Sequence, residues 1–263
     1  MSSYYSQLKN DTRFSYSERL FYQMDLPRNN SFEENYLQLR EKEGRLYSDS
    51  VVRLLPEFSG SAPLSIEWKI RKQSAKRLVR HFKLKRPKTI IEVGCGNGWL
   101  IHHLQQHVSA EYLGIDINER ELKQATRISN GNLSCFLYGN ILSGAMSELR
   151  ADMIIVASVA HYFPDLKLFI QQLLTLLSPG GEVHIIDTAF YNSNEAIKEA
   201  KNRSEKYFLE MKVNSKGLNY YHHSFDVLES FQFKIAYQPQ RLINRLKRKL
   251  ISDSPFPWII INK

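Results

Sequence analysis

The sequence lacks the features that mark several classes of protein. Only two of its 263 residues are cysteines, Cys95 and Cys135, too few for a disulfide framework and typical of a reducing compartment. No apolar run approaches the ~20 residues of a membrane-spanning helix, and the opening MSSYYSQLKNDTRF has no apolar signal-peptide core. We therefore expect a cytoplasmic protein. Two cysteines without a histidine pair at ligand spacing also argue against a structural zinc site, and we expect no metal.

Acidic residues are fewer than basic ones, 27 against 36, and the net charge is +9. This balance fits a basic protein without an anionic partner, but also one that binds nucleic acid, a phosphorylated metabolite or a membrane surface. One basic segment, residues 241–250 (RLINRLKRKL), places Leu242, Leu246 and Leu250 at helical spacing. We interpret it either as a docking element for an anionic surface or as a helix that covers the sheet and exposes its basic face.

Strands and helices alternate in the middle of the chain. Apolar strand patterns lie at 88–93, 111–116, 133–139, 151–157 and 182–187. Helical patterns between them predict a doubly wound, mostly parallel α/β sheet covered on both faces. Two further strands near 230–239 and 257–263 predict an antiparallel pair at one edge. Residues 1–65 are polar and aromatic, and we predict helices near 14–24 and 31–55, which make this segment a helical extension of a domain that spans 66–263.

A glycine loop follows the first of these strands, in IEVGCGNGWL (91–100). Between a strand and a helix, Gly94, Gly96 and Gly98 let the backbone approach a ligand at the helix N-terminus. The dinucleotide motif G-x-G-x-x-G requires glycine or alanine where Trp99 stands. The loop therefore predicts a ligand without a pyrophosphate, and Glu92 favours a cationic one.

EVGCGNG resembles the first motif of class I S-adenosylmethionine-dependent methyltransferases. The match continues in order through GID (114–116), Asn140 after the third strand, ADMIIVASVAHYF (151–163) and LLSPGGEVHIID (176–187). The resemblance covers roughly 85–263. It implies a Rossmann-like, seven-stranded sheet with an antiparallel last strand. It also implies methyltransferase activity (EC 2.1.1.-), with S-adenosylmethionine as cofactor and S-adenosylhomocysteine as product.

The resemblance also implies roles for individual residues. Glu92 faces the ammonium end of the cofactor through water, and Asp116 binds the ribose hydroxyls. Asn140 stands where the family usually has an aspartate toward the adenine amino group, which is a departure that keeps the carbonyl but loses the charge. The other implied cofactor residues are Gly94, Cys95 and Gly96 under the sugar and methionine, Ile117 and Ile141 around adenine, and the backbone of Ala157 and Ser158 toward the ammonium.

Methyl acceptors in this fold lie beyond the carboxyl ends of the fourth and fifth strands. That position points to His161 and Tyr162, and to His222 from the YYHH stretch (220–223). We expect His161 to be the base. The alternatives are that His161 only shapes the cofactor pocket and that YYHH packs on the sheet.

The fourth motif, ASVAHYF, bears on the acceptor. It lacks the [DN]-P-P-[YFW] signature of exocyclic-amine methylation and the Pro-Cys pair of cytosine-carbon methyltransferases. It resembles small-molecule methyltransferases, so we expect a small-molecule or lipid-linked acceptor, with oxygen as the first choice of atom. The alternatives are an RNA methyltransferase of the same fold and a non-catalytic cofactor-binding protein. We expect residues 1–65 to form a lid over the acceptor.

Overall fold

A computed structural model describes residues 3–28, 31–129, 131, 133–212 and 218–263. The strands are β1 (Phe14–Ser17), β2 (Leu20–Gln23), β3 (Thr89–Val93), β4 (Glu111–Asp116), β5 (Ser134–Tyr138), β6 (Ala151–Ala157), β7 (Leu177–Ile186), β8 (Phe190–Tyr191), β9 (His223–Ser224), β10 (Phe233–Tyr237) and β11 (Trp258–Asn262). The α-helices are α1 (Ser3–Asn10), α2 (Ser31–Lys42), α3 (Asp49–Leu54), α4 (Leu64–Lys85), α5 (Trp99–Gln105), α6 (Glu119–Ile128), α7 (Leu166–Thr175), α8 (Asn194–Met211) and α9 (Leu242–Leu250). Short 3₁₀ helices lie at Ile141–Ser143, Ala160–Tyr162 and Phe225–Ser230. No helix in these ranges is long and apolar enough to cross a bilayer.

The strands form one main sheet with the order β1-β2-β5-β4-β3-β6-β7-β11-β10. The five central strands in this order, β5, β4, β3, β6 and β7, are parallel to one another. The last strand, β11, is antiparallel to both β7 and β10. The predicted doubly wound, Rossmann-like sheet with an antiparallel last strand is confirmed.

The central strands are apolar on both faces because helices cover both sides. Ile154, Ile155 and Val156 of β6 are completely buried, and the buried residues divide into two large clusters. The register pairs Glu92 of β3 with Gly114 of β4 and Ile155 of β6. The carboxyl ends of β3, β4 and β6 therefore meet at one edge of the sheet.

The helix predicted near 14–24 is wrong. This segment forms a β-hairpin, β1–β2, whose turn residues Glu18 and Arg19 both have positive φ, 50° and 67°. Strand β2 runs parallel to β5, with Phe21 opposite Leu137, so the described sheet has nine strands rather than seven. This segment forms strands rather than a helix because Phe21 and its neighbours bury their aromatic side chains near the sheet edge. Aromatic residues are common in strands because they pack well on a pleated surface.

The helix predicted over 31–55 is two helices, α2 and α3, separated by residues 43–48. Ser48 ends the interruption and caps α3 by accepting a hydrogen bond from the backbone N–H of Val51. The first 65 residues thus combine helices with a hairpin that continues the main sheet. A domain boundary at residue 65 stays a prediction.

Candidate cofactor and acceptor site

The glycine loop between β3 and α5 has a backbone that side chains would not tolerate. Gly94 and Gly98 have φ of 70° and 74°, in the left-handed region that favours glycine. A Cβ on Gly94 would lie 2.4 Å from Cγ2 of Val159, and one on Gly98 would lie 2.7 Å from Cβ of Ala125. The glycines therefore allow the loop to pack closely against its neighbours.

Asp116, at the end of β4, holds the glycine loop in place. Its Oδ2 accepts a hydrogen bond from the N–H of Gly96 (2.8 Å), and its Oδ1 accepts one from the N–H of Asn118 (2.9 Å). Burial raises the pKa of Asp116 to about 6, and these backbone donors oppose the rise. Each carboxylate oxygen keeps a further lone pair that can accept a hydrogen bond from a ligand.

Glu92 is a buried carboxylate with unused hydrogen-bonding capacity. Its side chain is 2% exposed, and Oε2 has no hydrogen-bond partner among the described residues. Burial, followed by the negative charge of Asp116, raises the pKa of Glu92 well above its ordinary value. Because a buried unpaired polar atom destabilises the fold, this oxygen marks a place for a donor or cation.

A third carboxyl, Glu121, faces the same space from the first turn of α6. Its backbone N–H donates to Oδ1 of Asn118 (3.0 Å), which caps the N-terminus of α6. Burial and the charge of Asp116 raise the pKa of Glu121 to about 7, and a hydrogen bond from Tyr36 lowers it. Three carboxyls at one cavity favour a positively charged ligand.

These groups line one cavity of about 210 Å³. The ten residues expected to bind cofactor all contribute to its wall: Glu92, Gly94, Cys95, Gly96, Asp116, Ile117, Asn140, Ile141, Ala157 and Ser158. Asn140 is already engaged, since its Oδ1 accepts from the N–H of Leu142 (3.0 Å) and its own N–H donates to Oε1 of Gln23 (2.9 Å). Ser158 adopts a positive φ of 58°, a strained backbone of the kind found at functional sites.

Helix α2 covers the cavity from the opposite side. Phe32, Tyr36 and Arg40 are spaced four residues apart and all line the wall, as one face of a helix does. In the first turn of α2, next to Phe32, Oε1 of Glu33 accepts a hydrogen bond from the N–H of Glu119 (2.7 Å) at the start of α6. This bond ties the cover to α6, the helix that carries Glu121.

Arginines and aromatic rings form the wall beneath this cover. Arg40 pairs with Glu43 (2.7 Å) and donates from Nη2 to the hydroxyl of Tyr162 (3.1 Å). Arg71 of α4 pairs with Glu67 through Nε (3.0 Å). The cavity thus has an acidic half at the strand ends and a half of aromatic rings and paired arginines.

Residues 84–221, more than half of the chain, match the family model described as a methyltransferase domain. The chain belongs to the class I S-adenosylmethionine-dependent methyltransferases. Phthiotriol/phenolphthiotriol dimycocerosates methyltransferase 1 of Mycobacterium ulcerans is 27% identical over 120 residues, 45% of this chain and 43% of that protein. Tocopherol O-methyltransferase of Arabidopsis thaliana is 25% identical over 106 residues, 39% of this chain and 30% of that protein. Norajmaline N-methyltransferase of Rauvolfia serpentina is 22% identical over 126 residues, 46% of this chain and 43% of that protein, so the methyltransferase chain spans less than half the length of these relatives.

Two solved structures share the fold of this methyltransferase over most of its length. The plantazolicin methyltransferase BpumL, bound to a monoazolic desmethylPZN analog and SAH, has a TM-score of 0.53 at 16% identity, covering 88% of this chain and 99% of that one. Magnesium protoporphyrin IX methyltransferase from Synechocystis PCC 6803, with bound SAH, has a TM-score of 0.54 at 16% identity, covering 88% and 94%.

The cavity of this methyltransferase fits S-adenosylmethionine, the cofactor of the family. The cofactor carries a sulfonium and an ammonium, which the carboxyls of Glu92, Asp116 and Glu121 complement electrostatically. Oε2 of Glu92 offers an unused acceptor, and a side chain on Gly94 would clash with its neighbour. When bound, the cofactor supplies a methyl group on an electron-poor sulfur.

Of the three residues predicted to be catalytic, Tyr162 lines this cavity and His161 does not. The His161 ring packs against the rings of Tyr162 (4.3 Å between centroids) and Tyr220 (4.9 Å). Burial and the positive charge of Arg40 lower the pKa of His161 to about 3, so the ring is neutral at physiological pH. The assignment of His161 as the base stays a prediction.

The third residue, His222, lies at a separate cavity beside α8. Its Nε2 lies 3.0 Å from Oγ of Ser204, and its Nδ1 lies 3.4 Å from the hydroxyl of Tyr191. The structure therefore does not bring His222 together with the cofactor residues.

Several residues of the cavity wall were not predicted from the sequence to belong to the site: Tyr36, Arg40, Trp68, Arg71 and Glu121. Two sequence patterns could have identified Tyr36, Arg40 and Glu121. Phe32, Tyr36 and Arg40 recur every four residues, and Glu121 follows the helix cap Asn118 by one turn. The hydrogen bond between Glu33 and Glu119 that holds α2 at the cavity joins residues far apart in sequence. No local sequence pattern predicts this contact.

A separate buried cluster brings together His81, Glu182 and His184, whose ligand atoms lie within 4.8 Å of one another. The Nε1–H of Trp258 donates to Nδ1 of His184 (3.2 Å). Burial lowers the pKa of His184 to about 3, so the neutral ring carries its proton on Nε2 and has no free lone pair for a metal. Nε2 of His81 instead lies at hydrogen-bond distance from Oε2 of Glu182 (2.6 Å), and Lys85 pairs with the other oxygen of that carboxylate (3.0 Å).

Proposed function

We propose that this chain methylates a small-molecule or lipid-linked acceptor, with oxygen as the first choice of atom. The observation that carries the proposal is a single cavity whose acidic half suits the cofactor and whose aromatic half, from α2 and α4, suits an organic acceptor. The names of the relatives include both O- and N-methyltransferases, so they leave the choice of atom to experiment. Cytoplasmic location stays a prediction.

On the cofactor side, we assign the ribose hydroxyls to the remaining lone pairs of Asp116. Glu92 faces the ammonium group, directly or through water, because Oε2 has no other partner among the described residues. The backbone of Ala157 and Ser158 supplies further acceptors for that ammonium. The loop residues Gly94, Cys95 and Gly96 lie under the sugar and methionine.

The adenine ring is assigned to the space between Ile117 and Ile141. Both side chains line the cavity and offer apolar faces to a flat ring. Oδ1 of Asn140 already accepts from Leu142 N, so its second lone pair is the one available to the adenine amino group. This arrangement needs no negative charge at position 140.

On the acceptor side, Tyr162 is the residue best placed to orient the nucleophile. Arg40 donates to its hydroxyl oxygen, which directs the phenolic proton elsewhere, and burial raises its pKa so that the proton is retained. The neutral ring of His161 supports Tyr162 from behind, and its lowered pKa of about 3 makes it a weak proton acceptor. Alignment of the acceptor with the methyl group is then the main contribution of these residues.

The test is transfer of labelled methyl groups from S-adenosylmethionine into a cell extract that is afterwards separated into organic-soluble, RNA and protein fractions. We expect label in the organic-soluble fraction. Label in RNA would support the RNA methyltransferase alternative, and cofactor binding without label in any fraction would support the non-catalytic one. Tyr162→Phe should lower kcat more than it changes the KM for the cofactor.

A further inference from the structure

Helix α9 and the residue after it present an apolar surface that the other described residues leave exposed. They lie in the chain between β10, which is an edge strand of the sheet, and its neighbour β11. Five large apolar side chains of this segment are exposed: Leu242 (72%), Ile243 (62%), Leu246 (53%), Leu250 (87%) and Ile251 (48%). The helical residues among them fall on one side of α9, so they form one outward-facing patch.

The side of α9 that faces the protein is polar. Nδ2 of Asn244 donates to the backbone oxygen of Gln238 (2.7 Å). Arg248, one turn further on, is half-buried, and its charge lowers the pKa of Tyr237 against a larger effect of burial. Thus α9 does not cover the sheet with its apolar face, which was one of the two interpretations of RLINRLKRKL.

The charged side chains that line this patch are basic, and one of them, Lys72, also pairs with Glu57. Arg241 and Arg245 of the same segment are exposed, and residues 241–250 contain no Asp or Glu. A shallow groove next to the end of α9 is lined by Lys69, Lys72, Gln73 and Lys76 of α4 together with Leu250, Ile251 and Ser252. An exposed apolar ridge bordered by basic side chains matches the interface of a bilayer with anionic headgroups.

We propose that α9 and the lysines of α4 form a docking surface for an anionic phospholipid bilayer. The exposed leucines and isoleucines insert among the acyl chains near the headgroups, and the basic residues contact the phosphates. A folded RNA offers phosphates but no apolar phase for this ridge. Exposed leucines alone would not select anionic lipids, so the two features together identify the partner.

The same helix, α4, connects this surface to the cavity. Trp68 and Arg71 line the cavity, while Lys69, Lys72 and Lys76 line the groove beside α9. Docking would therefore hold α4, which borders the cavity, at the bilayer, where a lipid-linked acceptor is concentrated. This consequence rests on the proposed function, whereas the docking itself does not.

The test is flotation of the full chain with vesicles of phosphatidylcholine alone and with added phosphatidylserine, without cofactor or acceptor. We expect binding to the phosphatidylserine vesicles that weakens as salt is raised. The double variant Leu246→Glu/Leu250→Glu should weaken this binding by at least about tenfold. The matched control is Leu168→Glu on α7, where the leucine is 52% exposed, and it should bind as the parent does.

The double variant should keep the melting temperature of the parent and its increase with S-adenosylmethionine, because its side chains lie outside the cavity. Equal binding to both vesicle types, or binding that the double variant retains, would overturn the proposal. Retention on RNA without vesicle binding would overturn it as well. A failure of methyl transfer would leave the flotation result unchanged, so the two proposals are tested separately.

Discussion

Replacing Glu121 with glutamine should stabilise the ligand-free protein at alkaline pH. The pKa of Glu121 is about 7 in the folded chain, against about 4.3 for an unperturbed glutamate. Between these values the folded state binds more protons than the unfolded state, so the free energy of unfolding falls as pH rises. At about 1.4 kcal/mol per pKa unit the full loss would be roughly 3.5 kcal/mol, and solvent in the cavity reduces it to about 2 kcal/mol.

Urea unfolding near pH 5 and near pH 8 measures this effect. The parent should lose stability between the two conditions, and Glu121→Gln should lose less, by about 2 kcal/mol. The variant also removes a negative neighbour of Asp116, whose own raised pKa of about 6 acts in the same direction. Glu229→Gln, at an exposed position, should behave as the parent. If Glu121→Gln shows the same pH dependence as the parent, the carboxyls are not crowded in one cavity as described.

Further predictions concern the loop, the ribose site and the cover. Asp116→Ala should weaken S-adenosylmethionine binding by at least about tenfold in calorimetry, while the exposed Asp226→Ala should bind normally; equal affinities would remove Asp116 from the site. Gly94→Ala should lower the free energy of unfolding by roughly 1–3 kcal/mol, because its φ is 70° and a Cβ would approach Val159; an unchanged urea midpoint would contradict this packing. Glu33→Ala should cost about 1 kcal/mol, as loss of a helix cap does, and should speed hydrogen exchange in α2; unchanged exchange would show that α2 is held by other contacts.

The sequence predicted the parts of the fold that local patterns determine. Glycines between an apolar strand and a helix located the loop, which the structure places in the cavity wall. The family resemblance assigned Asp116 to the ribose hydroxyls, and its position at the end of β4 places it in the cavity wall.

Other features depend on contacts that no local pattern announces. The hairpin turn at Glu18 and Arg19 lacks the asparagine or glycine that usually marks a two-residue turn. The cover helix α2 is fixed by the hydrogen bond from the N–H of Glu119 on α6 to Glu33, a contact across 86 residues. Such long-range packing also explains why several residues of the cavity wall were not predicted from the sequence.

These contacts affect how the cover is best tested. Deleting residues 1–60 would be the simplest way to ask whether they form a lid over the acceptor. Because β2 is a strand of the main sheet, that deletion would also expose β5. Glu33→Ala examines the cover and leaves the sheet intact. The lid role of residues 1–65 stays a prediction until such a variant is assayed.

The central claim is that the cavity under the glycine loop binds S-adenosylmethionine. It is tested most directly by melting curves with S-adenosylmethionine, S-adenosylhomocysteine and NAD in parallel, each in excess. A ligand at ~100 times its Kd adds about 2.7 kcal/mol to stability, a readily visible increase in Tm. The account predicts an increase with the first two compounds and none with NAD. An increase with NAD, or none with S-adenosylmethionine and S-adenosylhomocysteine, would contradict it.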